Sequence, residues 1–250
     1  MKTLVVANQK GGVGKTALVV NFALDFAERG AKVAVIDLDV QGNCSFTLAD
    51  YSLTARASDI VLDGKTDFPG VVEGIGLLAG DNRLITVEQN VVAGKAAAGN
   101  LARGLEGLRA AGYDFCLLDS PAAFGIRFMA GLLTADFVLA PIELEAYSIQ
   151  GIKHLVATIS NARKTNKKLC FLGMLANKVD ARNPRHAGHL KQLRQAYGNL
   201  LIPSTVGLRS SIAEALVSGM PVWKSKKTAA RAAAKEVREA AEWVYAAMTG

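Results

Sequence analysis

The 250-residue chain has little cysteine, and what it has is scattered. Cys44, Cys116 and Cys170 stand singly, which excludes a disulfide framework and a C-x-x-C metal or redox motif; each is read as a small buried hydrophobe. Long apolar runs are also missing. None reaches the roughly 18 residues of a membrane span, and Met1-Lys2 leads into a strand instead of a secretory leader, so a cytoplasmic location is expected. Acidic residues are scarce in one half only. Residues 1–150 hold 12 Lys and Arg against 17 Asp and Glu, a net −5, whereas residues 151–250 hold 17 against 5, a net +12. The overall +7 conceals a basic half. Such a half is the electrostatic footprint of nucleic acid or another polyanion, although a solvated surface explains a charge excess equally well.

What is present is the composition of a soluble globular protein, half hydrophobic and a fifth charged, and residues 1–250 are read as one domain. The chain is organised around Lys10-Gly11-Gly12-Val13-Gly14-Lys15-Thr16. This segment leaves a short apolar run at residues 3–8 and opens a helical pattern over 16–29. A glycine-rich turn between a strand and a helix can direct backbone N–H groups at a phosphate, where the helix N-terminus already favours negative charge. The strict P-loop pattern G-x-x-x-x-G-K-[ST] fails only at its first glycine, which is Gln9 here. In its place the loop carries a second lysine, Lys10, five residues before the usual one.

Further strands are expected at 32–38, 75–79, 113–118, 137–141, 168–175 and 200–206, giving a twisted, mostly parallel sheet of about seven strands with helices on both faces. Pro203 at the centre of the last points to an edge strand or to an early end of the strand. Helices are expected at 58–62, 148–162 and 228–248, and residues 81–110 read as one long or broken helical region whose Ala and Gly point to close packing or a loop. The strand at 32–38 ends in Asp37-Leu38-Asp39 and that at 113–118 in Asp119-Ser120-Pro121. Carboxylates at the carboxyl ends of buried strands sit where open α/β sheets bind ligands, and can hold Mg²⁺ through water or orient an attacking water. Taken alone, each is explained as well by a turn or a capped strand end. Asn177-Lys178-Val179-Asp180 is weaker still, since its amide suits adenine but N-K-x-D also occurs in guanine-binding proteins.

Together these motifs resemble the deviant Walker A ATPases of the ParA/MinD group, and most closely the small ParA-type partition ATPases, along nearly the whole chain. The resemblance implies an ATPase with ATP and Mg²⁺ as cofactors. It implies that Gly11, Gly12, Val13 and Gly14 cradle phosphate, that Lys15 meets the β- and γ-phosphates, and that Thr16, Asp37 and Asp119 serve the metal. It assigns the hydrolytic water to Asp39, adenine to Asn177, and to Lys10 a reach across an ATP-dependent homodimer to the partner's phosphates. Arg209 matches a DNA-backbone contact, and Lys224, Lys226 and Lys227 are added as basic neighbours. The implied function is plasmid or chromosome partition: nonspecific DNA binding, nucleoid association when ATP-bound, and slow hydrolysis stimulated by a ParB-like centromere-binding protein. Three positions depart from the family pattern: Val40 and Ala122 replace prolines and Ala17 a threonine, and none removes a polar catalytic group.

Two other readings share the fold. A MinD-like positioning ATPase would act at a membrane or another large assembly, but the last helix carries no Lys or Arg in its final turns and an apolar face made mostly of alanine, so no membrane is expected. A nitrogenase-iron-protein-like enzyme needs paired cluster cysteines that the chain lacks, and no carboxylate-substrate pocket of the dethiobiotin-synthetase kind is evident.

Overall fold

The computed structural model describes residues 1–70, 74–144 and 148–250. β1 (Lys2–Val6), α1 (Lys15–Glu28) and β2 (Val33–Asp37) form the first strand-helix-strand unit. α2 (Asn43–Thr47), β3 (Ser52–Arg56), α3 (Ala57–Val61) and β4 (Ile75–Ala79) follow. The middle of the chain runs α4 (Ile85–Gln89), α5 (Val91–Ala110), β5 (Phe115–Asp119), α6 (Ile126–Thr134) and β6 (Phe137–Ile142). The basic half comprises α7 (Ser148–Thr165), β7 (Cys170–Val179), α8 (Pro184–Tyr197), β8 (Leu201–Gly207), α9 (Ser210–Val217) and α10 (Ala230–Thr249).

The strands make one sheet in the order β3-β4-β2-β5-β1-β6-β7-β8, and every pairing is parallel. Alternation along each strand divides the interior in two. Val5, Ile36 and Leu118 face one core with α3, α5, α6 and α7, while Leu4, Val6, Val35 and Leu117 face the other with α1, α9 and α10. A strand covered on both faces is apolar at every position, which is why these segments read as continuous hydrophobic runs. In the second core Phe26 of α1 packs edge-on against Tyr245 of α10 at 5.0 Å and tilted against Phe115 of β5 at 5.2 Å.

The expected sheet is present with one strand more. β3 escapes the hydrophobic pattern because it is an edge strand of which only Ala55 is buried; backbone pairing to β4 holds it. β8 is the other edge, as Pro203 requires. Helix α8 is also invisible to apolar periodicity, since Leu193 is its one buried residue. Its start is nevertheless encoded: the Asn183 side chain accepts from the Arg185 N–H at 3.0 Å, and proline follows at the first helical position. Cys44 and Cys116 are buried as expected, but Cys170 is exposed, because it begins β7 beside the surface turn after α7.

The region 81–110 is a broken helix, α4 then α5, and its glycines are close contacts. A Cβ on Gly107 would collide with the backbone carbonyl of Thr66, and one on Gly104 with Ile60 of α3. One on Gly94 would lie 2.5 Å from the Ile126 side chain of α6. Gly99 faces open space. The two kinds of glycine predict opposite outcomes in urea denaturation: Gly99→Ala stabilises by about 0.5–1 kcal/mol through helix propensity, whereas Gly107→Ala destabilises by about 1–3 kcal/mol through overpacking against backbone that cannot rotate away. Equal effects at the two positions would contradict this packing.

Candidate active site

Sheet order assembles the site. β2, β5 and β1 are neighbours, so Asp37, Asp119 and the loop after Val6 emerge side by side at the carboxyl edge of the sheet. Asp37 and Asp119 are direct register partners. Both are fully buried, and burial raises both carboxyls above their ordinary range, Asp119 the more; the charge of Asp37 adds to the rise at Asp119, and the charge of Asp39 to the smaller one at Asp37. Lys15, itself buried, has its pKa lowered by burial and is supported against that by Asp119 and Asp39.

The loop has the strained backbone that its glycines permit. Gly12 and Gly14 have φ of 76° and 92°, and Gly14 caps α1 with no side chain occupying the helix N-terminus. Gly14 is required twice, since any Cβ there would also collide with the Asn177 amide. That amide donates to the Val13 carbonyl at 2.7 Å and its oxygen accepts from Lys178 N–H at 3.0 Å, so Asn177 braces the phosphate loop from β7. Lys178 is the one non-glycine with positive φ among the described residues, 54°. Such a conformation costs about 1–2 kcal/mol and persists only where surrounding contacts impose it.

The three carboxylates differ in what they have left to offer. Asp37 accepts from Asp39 N–H at 3.0 Å, from Ser45 N–H at 2.9 Å and from the Ser45 hydroxyl at 2.6 Å. It is thereby an anchor for the turn and for α2. Asp119 accepts from the Thr16 hydroxyl through Oδ2 at 2.7 Å, while its Oδ1 is buried with no partner. Asp39 is partly exposed on the wall of the cleft and accepts from Gln41 N–H at 3.0 Å. A buried, orphaned carboxylate oxygen beside a hydroxyl suits a hydrated Mg²⁺, which is bound through one or two protein groups plus water and phosphate instead of by a full protein cage. No cluster of three or more His, Cys, Asp or Glu suited to a metal exists among the described residues. The donor set therefore fits Thr16 and Asp119 at the metal and leaves Asp37 a supporting place behind them.

The two lysines of the loop point differently. Lys15 turns inward, with its ammonium 3.1 Å from the Lys10 carbonyl. Lys10 turns outward, its side chain 48% exposed, and pairs with Glu143 at 2.8 Å. Glu143 also meets Lys178 at 3.3 Å, so one carboxylate after β6 gathers both cations. Nothing in the sequence marks Glu143, Ser45 or Lys178 for these tasks: Glu143 reaches Lys10 from 133 positions away, Lys178 meets it through the pairing of β6 with β7, and Ser45 meets Asp37 through the turn into α2.

Beyond the loop a cleft of about 890 Å³ runs between α1, α2, β8 and α9. Lys15, Thr16 and Asp39 line its polar end and Leu208, Ile212 and Leu216 its apolar end. Leu208, Phe46 and Val217 on its walls are large exposed hydrophobes, as expected where an aromatic or apolar ligand group docks. The basic residues expected to contact DNA lie outside this polar end and are mostly paired: Arg209 with Glu236 at 2.6 Å, Lys224 with Glu28 at 3.3 Å and Lys227 with Glu214 at 2.6 Å. Lys226 is exposed and has no ion pair among the described residues.

A family model described as an AAA domain matches residues 1–171. Protein IncC of Escherichia coli is 54% identical over 258 aligned residues, covering 99% of this chain and 70% of that protein. The chromosome partitioning protein ParA of Caulobacter vibrioides is 30% identical over 89% of this chain and 86% of its own. Among solved structures, cobyrinic acid a,c-diamide synthase from Mycobacterium smegmatis with bound ATP analogue and magnesium superposes with a TM-score of 0.82 at 25% identity, over 100% of this chain and 96% of that one.

The paired buried acids give the ligand-free protein a distinct pH dependence. A carboxyl raised on folding stabilises the fold fully below its unfolded value, near 3.8 for Asp119, and that contribution is lost as pH rises through the higher folded value. Asp119→Asn removes this penalty. At pH 8 without ligand the variant is expected to melt about 2–4 °C above wild type, the shift that about 1 kcal/mol produces in a chain of this size, with the gap closing as pH falls. A variant that melts below wild type at every pH would contradict the electrostatic account.

Proposed function

The chain belongs to the ParA-type partition ATPases of the AAA-domain family, and from that premise we propose that its ATP cycle switches dimerisation and nonspecific DNA binding on and off. ATP and Mg²⁺ are the cofactors; Mg²⁺ held at Thr16 and Asp119 would supply positive charge to the phosphates. Gly11, Gly12, Val13 and Gly14 supply backbone donors to the phosphates, Lys15 a cation and Thr16 a hydroxyl. Asp119 orients water in the metal shell, Asp37 holds the turn that carries Asp39, and Asp39 orients the attacking water. Asn177, expected to read adenine, is buried with both ends of its amide committed to Val13 and Lys178, and its part is to brace the phosphate loop.

The observation that carries this reading is the opposite orientation of the two loop lysines. Lys15 serves its own site. Lys10, turned out and held by Glu143, is placed to complete the site of a second subunit, where a cation delivered in trans acts as an arginine finger does. Triphosphate on the facing subunit carries more negative charge than Glu143 and so can draw Lys10 away from it. ATP binding and dimerisation then stabilise the same state.

Nonspecific DNA is the partner the charge distribution favours. Besides Arg209, Lys224, Lys226 and Lys227, the structure adds helix α8. Its Arg185, Lys191 and Arg194 are exposed and without ion pairs among the described residues, and no acidic residue occurs between positions 181 and 213. Release follows when a ParB-like partner stimulates an otherwise slow hydrolysis, and plasmid or chromosome partition is the outcome. The MinD-like alternative has less support. The apolar stripe of α10, from Ala230 through Val237 and Val244 to Met248, is buried in the core, and among the described residues no helix is long and apolar enough to cross a membrane.

Lys10→Ala is expected to keep nucleotide affinity within a few-fold but to lose ATP-dependent dimerisation in sedimentation experiments; unchanged dimerisation would refute delivery in trans. On random-sequence duplex DNA, binding of the ATP-bound wild type should weaken steeply with salt. Replacing Arg185, Lys191 and Arg194 together by alanine should flatten the log–log slope by about 2–3, near 0.9 for each phosphate contact removed. Binding indifferent to salt and to nucleotide would dismiss the DNA reading.

A further inference from the structure

The Asp39 turn is tied to the segment after Asp119 by a buried arginine that no motif contains. Arg127, the second residue of α6, is 8% exposed. Its guanidinium donates from Nη1 to the Leu38 carbonyl at 2.7 Å and from Nε to Glu88 at 3.3 Å. The Leu38 carbonyl belongs to the peptide unit whose N–H is that of Asp39, and this N–H donates to Asp37 Oδ1 at 3.0 Å. Both polar ends of the peptide preceding Asp39 are therefore fixed, one by Arg127 and the other by Asp37. A peptide plane held at both ends sets the direction in which the next side chain leaves the backbone.

Glu88 of α4 supports the arginine and caps its helix. Its carboxylate accepts from Ile126 N–H at 2.9 Å and Arg127 N–H at 3.1 Å, supplying the partner that the N-cap residue, Gly125, lacks a side chain to provide. A Cβ at Gly125 would lie 2.8 Å from the Glu88 carboxylate, which would have to shift to admit it. On the far side, a Cβ at Gly80 would lie 2.7 Å from the Asp39 carbonyl, so the turn is confined there as well. The first turn of α6 is thus tied on one side to the Asp39 turn and on the other to α4.

We propose that Arg127, held by Glu88, is a positioning residue for hydrolysis, one that sets the direction of the Asp39 carboxylate through the peptide between Leu38 and Asp39. The proposal rests on the reading of Asp39 as the group that orients the attacking water. A purely structural arginine would contribute stability and nothing selective. A positioning arginine would act on turnover, and only while Asp39 is there to be positioned.

The experiment is a double-mutant cycle on the full-length protein with Mg-ATP, following kcat, KM and Tm for Arg127→Met, Asp39→Asn and their combination. Asp39→Asn is expected to lower kcat about 100-fold, a typical effect of removing a positioned proton acceptor. Arg127→Met should lower kcat about tenfold with KM for ATP within about twofold, and the double variant should be no slower than Asp39→Asn alone. Glu88→Gln, which keeps the shape but weakens the hold on the guanidinium, should fall between wild type and Arg127→Met. Arg127→Lys restores a cation, is expected to recover part of the rate, and replaces the methionine in the cycle should that variant fail to fold. Full additivity in the double variant, or a loss at Arg127 that appears in KM and Tm with kcat intact, would overturn the proposal while leaving Asp39 in its role. An unchanged kcat in Asp39→Asn would instead overturn the reading of Asp39 and the positioning role with it.

Discussion

Two carboxylates forced side by side by parallel register, Asp37 against Asp119, set the conditions for the rest of the site. Burying like charges on neighbouring strands is unfavourable unless they are protonated, hydrogen-bonded or neutralised, and the surroundings answer each acid differently. Ser45 and the Asp39 N–H surround Asp37 with donors, which makes it part of the scaffold. Asp119 receives one hydroxyl and keeps one buried oxygen with no partner. The imbalance leaves a place for a divalent cation and its water, and Lys15 supplies the remaining positive charge nearby.

From that pair the site extends in two directions along the sheet edge. Toward β6 and β7, Asn177 and the strained Lys178 brace the phosphate loop, and Glu143 collects the outward-facing Lys10. Toward α4 and α6, Arg127 and Glu88 fasten the Asp39 turn to the segment that follows Asp119. The first set governs how the loop is held and which way its extra lysine faces. The second fixes the peptide that precedes Asp39. Both are made of side chains drawn from elements distant in sequence, and in both a glycine, Gly14 in one and Gly125 in the other, makes room for the contact.

Much of this was legible in the chain itself. The P-loop variant, the two strand-end acidic motifs and the second lysine are local patterns, each fixed by the chemistry of a turn or of a buried strand, and they sufficed for the fold class and the family. Elements without an apolar face were not legible: β3 is held by backbone pairing at an edge and α8 by capping with little burial. Cys170 was misread because a cysteine at the first residue of a strand is not inside the strand's buried stretch.

The sequence by itself determined which groups exist at the site and roughly where each stands on its strand, because motif spacing and period-two burial act over a few residues. Tertiary structure alone decided what each group has left to give. Whether an aspartate is free or spent, whether a lysine faces in or out, and whether Arg209 is a bare cation or paired with Glu236 all depend on partners brought near by sheet order. Those partners stand 27 to 133 positions apart for Arg209 and Lys10, beyond the reach of any local pattern, and it is their hydrogen bonds and burial that convert a list of polar residues into distinct roles.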